Sequence, residues 1–283
     1  MNVKHLARKS LPAIRYGILI IVGFFMLYPM LWMVGSSFKA NNAEIFSSIG
    51  ILAKHPTFKA YTSGWFATNY QYGWYMLNTY RFVIPKVIGT VLSAVLTAYA
   101  FTRFSFRMKN LLYSICISTL FLPQVVLNVP QFILFNKMHW LDSYLPLIVP
   151  SFFAVDTYFV FVLVQFMRTL PHNLEEAAYL DGCNSLQRLY YVIAPLTKPA
   201  IVSCMLFQFM WSSNDFQGPL IYVNSVEKYP AALGLRLLMD AENGFEWNKV
   251  LAMSVVTLLP SLVVFFLAQD SFVDGIAAGG VKG

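Results

Sequence analysis

An all-α integral membrane protein, with six transmembrane helices and both termini in the cytoplasm, is the fold class this sequence predicts. Three observations carry it. Hydrophobic residues make up 58% of the 283 and charged residues only 12%, against roughly 25% charged in soluble domains. A soluble core of this length could not hide so much apolar surface. Apolar runs of about 20 residues, the length of a helical span, recur between short polar stretches. Lysine and arginine are shared unevenly between alternate polar stretches, which is the pattern that orients membrane helices. No internal repeat or low-complexity linker interrupts the series, so residues 1–283 are read as a single transmembrane domain.

Taken in order, the chain begins with Lys4, Arg8, Lys9 and Arg15. The first span follows at about 14–38, too long and too aromatic for a cleavable leader, and is read as a retained anchor. Residues 39–75 form a mixed polar stretch with a short surface helix, where Trp65 and Trp74 suit a membrane interface. The second span covers about 76–104. Its first turns carry Asn78, Arg81 and Lys86, and Gly89, Ser93, Ala94 and Ala98 then permit close helix packing. Arg103, Arg107 and Lys109 make a basic turn. The third span, about 110–132, is interrupted by Pro123, Gln124, Asn128 and Pro130. Proline at that depth predicts a kink or break. After Lys137, His139 and Asp142 comes the fourth span, about 144–167, with Asp156 well inside it. The fifth, about 199–223, carries Trp211, Asn214 and Asp215. A polar loop at 224–248 precedes the sixth span, about 249–268, and a short glycine-rich tail.

Orientation follows from the flanking basic residues. Lys4, Arg8, Lys9, Arg15, Arg103, Arg107, Lys109, Arg168, Arg188, Lys198 and Lys282 fall on one side, and Lys39, Lys54, Lys59, Lys137, Lys228, Arg236 and Lys249 on the other, eleven against seven. The richer side is the cytoplasm, which puts both termini there. The net charge of +7 does not mark a nucleic-acid binder, because no basic stripe with interleaved aromatics occurs. Cys116, Cys183 and Cys204 form no disulfide or metal pattern and are read as packing residues. His5, His55, His139 and His172 all lie outside the spans, which argues against a histidine-based metal site in the membrane. An intramembrane enzyme would have to rest on Asp156 and Asp215 alone, without a flanking protease signature.

The most ordered polar stretch is 169–196. Pro171 suits a first helical turn, and Glu175 and Glu176 follow where negative charge favours a helix N-terminus. Leu174, Ala177 and Ala178 share one face, and the two alanines leave room for close approach to another surface. Asp181 is a natural turn residue, and Gly182 can take the positive φ that ends a helix. Leu186, Leu189, Tyr190 and Ile193 predict a second short amphipathic helix, stopped before Pro195.

The order Glu176-Ala177-Ala178, Asp181-Gly182, Ile193-Ala194-Pro195-Leu196 resembles the EAA loop of bacterial ABC importer permeases. The glycine spacing is kept, and Ala194 stands where that family usually has leucine. Over most of the chain the resemblance is to the carbohydrate-uptake branch, on Ala98-Tyr99-Ala100-Phe101 with Arg103, Trp211 with Asn214-Asp215-Phe216, Pro219-Leu220-Ile221 and the final Gly280-Val281-Lys282-Gly283. The resemblance implies the type I importer permease fold in a bacterial inner membrane. It implies a saccharide cargo, a second homologous permease, two ATPase subunits and an extracytoplasmic solute-binding protein. It makes Glu175, Glu176, Ala177, Ala178, Asp181 and Gly182 the contacts to the ATPase. ATP and Mg would be bound by that partner, since this chain has no Gly-x-x-x-x-Gly-Lys-Ser/Thr loop. This chain would hold no cofactor or metal of its own and would be no enzyme.

Polar residues at membrane depth cost free energy and face a cavity or a partner. Gln124, Asn128, Asp156, Asn214 and Asp215, with Tyr158 and Trp211 as ring-stacking faces, are the candidate substrate pathway. Interhelical hydrogen bonding and helix capping are the structural alternatives for the two aspartates. Arg81 and Lys86 either snorkel to headgroups or form a positive entrance for acidic saccharides. Val155-Asp156-Thr157-Tyr158-Phe159 and Gly218-Pro219-Leu220-Ile221-Tyr222 also resemble permeases for oligogalacturonate or alginate-type substrates. An ion-coupled secondary transporter working alone is the alternative function.

Overall fold

The computed structural model describes residues 3–47, 49–239 and 245–280, with backbone alone for 3–14 and 270–280. The basic cluster Lys4, Arg8 and Lys9 and the tail signature ending in Lys282 therefore lie outside the described side chains. The regular structure among the described residues is all helical: fourteen α-helices with short 3-10 and π turns, linked by loops.

Five helical segments are long and apolar enough to cross a membrane: Arg15–Ser36, Tyr72–Arg103, Leu145–Arg168, Ser185–Ser213 and Trp247–Gln269. Lys109–Phe121 and Gln124–Lys137 meet at 102°, and the pair has the length and composition of a sixth, broken span or of a re-entrant loop. The bend falls where the third span was expected to break. Leu122 is extended (ψ 121°) because the ring of Pro123 disfavours a helical residue before it.

The chain divides into two compact units, residues 1–72 with 235–257, and residues 73–234 with 258–283. In the first unit, α1 (Val3–Ser36) leads to two short helices, α2 (Asn42–Ser47) and α3 (Lys59–Trp65). Asn42 ties this stretch to the start of the last helix. Its amide donates to Phe245 O at 2.5 Å and its carbonyl accepts from Trp247 N at 2.8 Å. Lys39 is buried, with its ammonium satisfied by Gly50 O at 3.0 Å and lying over the Trp32 ring.

The second unit is built on α4 (Tyr72–Arg103). Next come α5 (Lys109–Ser118), α6 (Gln124–Lys137), α7 (Leu145–Ile148) and α8 (Thr157–Arg168). They are followed by α9 (Asn173–Leu180), α10 (Ser185–Arg188), α11 (Ala194–Ser213) and α12 (Gln217–Tyr222). Two helices complete the chain, α13 (Ala231–Leu237) and α14 (Trp247–Gly280). The core is a three-helix seam. Val91, Ala94, Ala98 and Tyr99 of α4 meet Phe159, Val160, Leu163, Val164 and Met167 of α8, and Ala200 and Cys204 of α11 close it. Alanines on α4 allow this approach, as their spacing predicted. Gly89 is needed for it, since a Cβ there would stand 2.6 Å from Ser151 Oγ and from the Phe152 ring.

One expected boundary is corrected and two spans gain detail. The fourth span, Leu145–Arg168, is crossed in pieces rather than by one continuous helix. Pro146 and Pro150 each remove a donor, residues 149–153 tighten into a 3-10 turn, and Ala154 reverses to φ +56°. Asp156 consequently lies at the N-terminal boundary of α8 rather than inside a helix. The fifth span does not begin at Pro199. A π turn at Leu189–Ile193 joins α10 to α11, and the helix runs through Pro195 and Pro199. Pro195 sits in the first turn of α11, where a missing N–H costs least, and the π turn before it shifts the hydrogen-bond ladder. The glycine-rich tail continues α14 as far as Gly280.

Candidate functional site: a coupling segment and a polar cavity

In segment 169–196 helix α9 starts at Asn173, so Pro171 precedes its first turn rather than standing in it, while Glu175 and Glu176 fall in that turn as expected. Helix α9 ends in a Schellman arrangement: Cys183 N donates to Ala178 O and Gly182 N to Tyr179 O, both at 3.0 Å, with Gly182 at φ +84°. Helix α10 then starts with a full capping box. Asn184 Oδ1 accepts from Gln187 N and Gln187 Oε1 accepts from Asn184 N. The Arg188 guanidinium lies over the Tyr179 ring, 5.4 Å from its centroid, and pins α10 to α9.

The six expected coupling residues do not all face the same way. Glu176, Ala177, Asp181 and Gly182 are exposed and Ala178 is half-buried. Glu175 turns inward, buried against Arg103 in an ion pair with Nε and Oε1 2.5 Å apart. Those two atoms make no aligned hydrogen bond, so charge holds the contact. Around the exposed residues lies an apolar surface of Tyr179, Leu180, Leu186, Tyr190 and Tyr191, each about two-thirds exposed or more. Apolar side chains exposed to that extent on a polar segment make it a candidate interaction surface.

A cavity of about 510 Å³ opens elsewhere in the same unit. Lys86 of α4, Gln124, Asn128 and Gln131 of α6, Asp156 and Asp215 line it. Lys86 Nζ and Asp215 Oδ2 stand 4.0 Å apart, both partly open to solvent. Asp215 Oδ1 accepts from Gly218 N at 2.9 Å and so starts α12. Asp156 is held from two sides. Its Oδ2 accepts from Thr90 Oγ1 at 2.8 Å and from Gln208 Nε2 at 3.1 Å. A second cavity of about 470 Å³ shares Gln124, Gln131, Val155 and Asp156 and adds Tyr158 and Trp211. Those two rings are 5.3 Å apart and packed on Phe159.

Two expected pathway residues lie outside both cavities. Asn214 closes α11 by donating to Met210 O at 2.8 Å. Arg81 stacks on Trp74 at 4.6 Å and donates to Asn78 Oδ1 at 2.9 Å. Arg81 and Lys86 therefore do not form one positive entrance, and Lys86 faces the cavity rather than the headgroups. Thr90, Gln131, Gln208 and Arg103 were not singled out as site residues. Thr90, Gln131 and Gln208 carry the signal that flagged Gln124, a polar side chain in an apolar helix, whereas Arg103 was read as an orienting charge and as part of the family resemblance, without a role in the site.

Residues 89–270 match the family described as "Binding-protein-dependent transport system inner membrane component". A putative ABC transporter permease protein of Caldicellulosiruptor sp. (strain Rt8B.4) is 31% identical over 259 residues, 90% of this chain and 91% of that protein. The galactooligosaccharides transport system permease protein GanQ of Bacillus subtilis (strain 168) is 28% identical, over 95% of this chain and 94% of its own. Among solved structures, a bacterial ABC transporter involved in the import of the acidic polysaccharide alginate superimposes with a TM-score of 0.81. It shares 21% identity and covers 94% of this chain and 98% of its own. The multi-pass helical fold, a family match over residues 89–270 and a 31% identical relative agree: the protein belongs to the binding-protein-dependent transport system inner membrane components, the permeases of ABC transporters.

Proposed function

We propose that this chain is one wall of the passage through a saccharide importer. The observation that carries the reading is the pair of adjoining cavities that share Asp156. Amides from Gln124 and Asn128 and carboxylates from Asp156 and Asp215 supply donors and acceptors for hydroxyl groups. Tyr158 and Trp211 offer faces on which the C–H side of a sugar ring can stack. The galactooligosaccharide system named among the relatives supports the same cargo class.

The whole chain acts as one transmembrane domain in this reading, with lipid on its outer faces and a second homologous permease as the opposite wall. Both termini and residues 169–196 lie in the cytoplasm. There Glu176, Ala177, Ala178, Asp181 and Gly182, with the apolar surface around them, seat on an ATPase subunit, one of two that bind ATP and Mg. A solute-binding protein delivers cargo from the other side. Family membership leaves the ion-coupled carrier without support.

For the cargo's charge, Lys86 is the one cation lining the main cavity among the described residues, and it faces two carboxylates. That balance favours recognition of hydroxyls over recognition of a carboxylate, so a neutral oligosaccharide is the preferred substrate. The loose Lys86–Asp215 pair at 4.0 Å favours an acidic saccharide as the second reading. Reconstitution of the four-subunit-type complex in vesicles tests both. The expected result is ATP-dependent uptake of a neutral oligosaccharide, with Lys86→Ala lowering neutral and uronate uptake alike. Uptake of uronate oligomers alone, abolished by Lys86→Ala, would turn the assignment to an acidic cargo. Uptake that follows an ion gradient without ATP would overturn the importer reading.

A further inference from the structure

We propose that the cytoplasmic end of α4 is the strut that carries motion of the coupling segment to the cavity, with Arg103 and Tyr99 as its positioning residues; this rests on the importer reading above. The two side chains are four residues apart and so share one face of the helix. Each holds a different arm of the segment.

Arg103 holds the entry. Its Nη2 donates to Met167 O at 3.0 Å, in the last turn of α8, and to Leu170 O at 3.2 Å, just past that helix. Its Nη1 lies 3.0 Å from His172 Nδ1, at the residue that begins α9. Its Nε faces Glu175 in the first turn of α9. A single planar fork thus ties the ends of α4, α8 and α9 across the short link 169–172, a geometry a lysine could not reproduce. Tyr99 holds the exit, with its hydroxyl donating to Ser185 O at 3.2 Å, the first residue of α10.

The same helix carries groups of the cavity. Thr90 binds Asp156 and Gln208, and Lys86 faces Asp215. Thirteen residues separate Thr90 from Arg103, about 20 Å of helix at 1.5 Å per residue. The flanking spans α8 and α11 reach the segment through the covalent chain, whereas α4 reaches it through the core it shares with Leu189 and Ile193 and, by polar contacts, through these two side chains. Displacing α9 and α10 therefore pulls on α4 at Arg103 and Tyr99, and α4 shifts Thr90 against Asp156. In this arrangement Glu175 serves the permease's own interior and Glu176 is left for the ATPase.

The test uses the assembled complex in vesicles and reads saccharide taken up per ATP hydrolysed. Glu175→Gln keeps the shape and removes the charge that faces Arg103; a fall in the ratio of about tenfold is expected. Tyr99→Phe removes one hydroxyl and is expected to lower it about threefold. Arg103→Gln combined with Glu175→Gln should fall no further than the worse single variant, because the two act through one contact. A wild-type ratio in both Glu175→Gln and Tyr99→Phe would overturn the strut. If Glu175→Gln does not assemble, Tyr99→Phe alone decides, and an unchanged ratio there overturns the proposal. A wild-type complex that takes up no saccharide with ATP would instead sink the importer reading, and the two failures are thereby distinct.

Discussion

At Asp142 one carboxylate fastens the loop after α6 to the stretch after α12. It accepts from Asn224 N, Ser225 N, Ser225 Oγ and Lys228 Nζ, at 2.7–3.0 Å, with the backbone of Asp142 at φ +54°. Partial burial pushes its pKa up, but the Lys228 ammonium, the Ser225 hydroxyl and the two backbone N–H groups outweigh that and hold the carboxyl well below the ordinary range. A folded-state value below the unfolded one, about 3.9, gives stability that is present above that pH and lost as pH falls through the folded value. Asp142→Asn should therefore lower the unfolding free energy by about 1 kcal/mol at pH 7, discounted for the partial exposure of both partners. The gap from wild type should narrow below pH 4, as chemical unfolding in detergent at stepped pH would read; a gap independent of pH would refute it. The sequence marked Asp142 only as a loop charge, because its partners are more than 80 residues away. Gly182 was legible, since a glycine after a turn-forming aspartate has a local meaning. Asp156 was legible as a polar cost in an apolar run, but not as the boundary of α8, because the prolines that break the helix act upstream of it.

Helix α4 shows what an element's sequence can and cannot state. Its small residues announced close packing, and Ala94 and Ala98 are indeed buried in the seam with α8 and α11. Ala98 has no exposed surface. Ala98→Leu should force side chains off their rotamers there and cost about 1–3 kcal/mol, read as a lower midpoint of thermal unfolding in detergent. Ala98→Ser, close in volume, should cost less than Ala98→Leu, and equal losses would contradict a packing origin. The break in the third span was also readable, from Pro123 and the extended residue it imposes. The true start of the fifth helix was not. Pro195 reads locally as a stop, and only a π turn, which has no sequence signature of its own, lets the helix pass it. The Arg103 clasp was hidden for a related reason. A terminal arginine satisfies the orientation rule by itself, so nothing in the chain order points to the carbonyls and carboxylate it grips.

For the molecule as a whole, side and assembly are one question. Eleven basic residues against seven are the ground for expecting residues 169–196 in the cytoplasm, and on that proposal the apolar surface of the segment meets its partner on the same side. Leu180 tests both at once, because it is 85% exposed at the end of α9 and beside no cavity group. Leu180→Cys, in a chain whose Cys183 is replaced by serine, should react with a membrane-impermeant maleimide in inverted vesicles and not in intact cells. The rate should fall at least tenfold when the ATPase subunits are bound, since a docked partner would cover a side chain now open to water. Labelling from outside intact cells would reverse the orientation and remove the segment from any contact with an ATPase. Labelling from the cytoplasm at a rate indifferent to bound ATPase would keep the topology and move the docking surface away from α9, toward the exposed tyrosines Tyr190 and Tyr191 of the π turn.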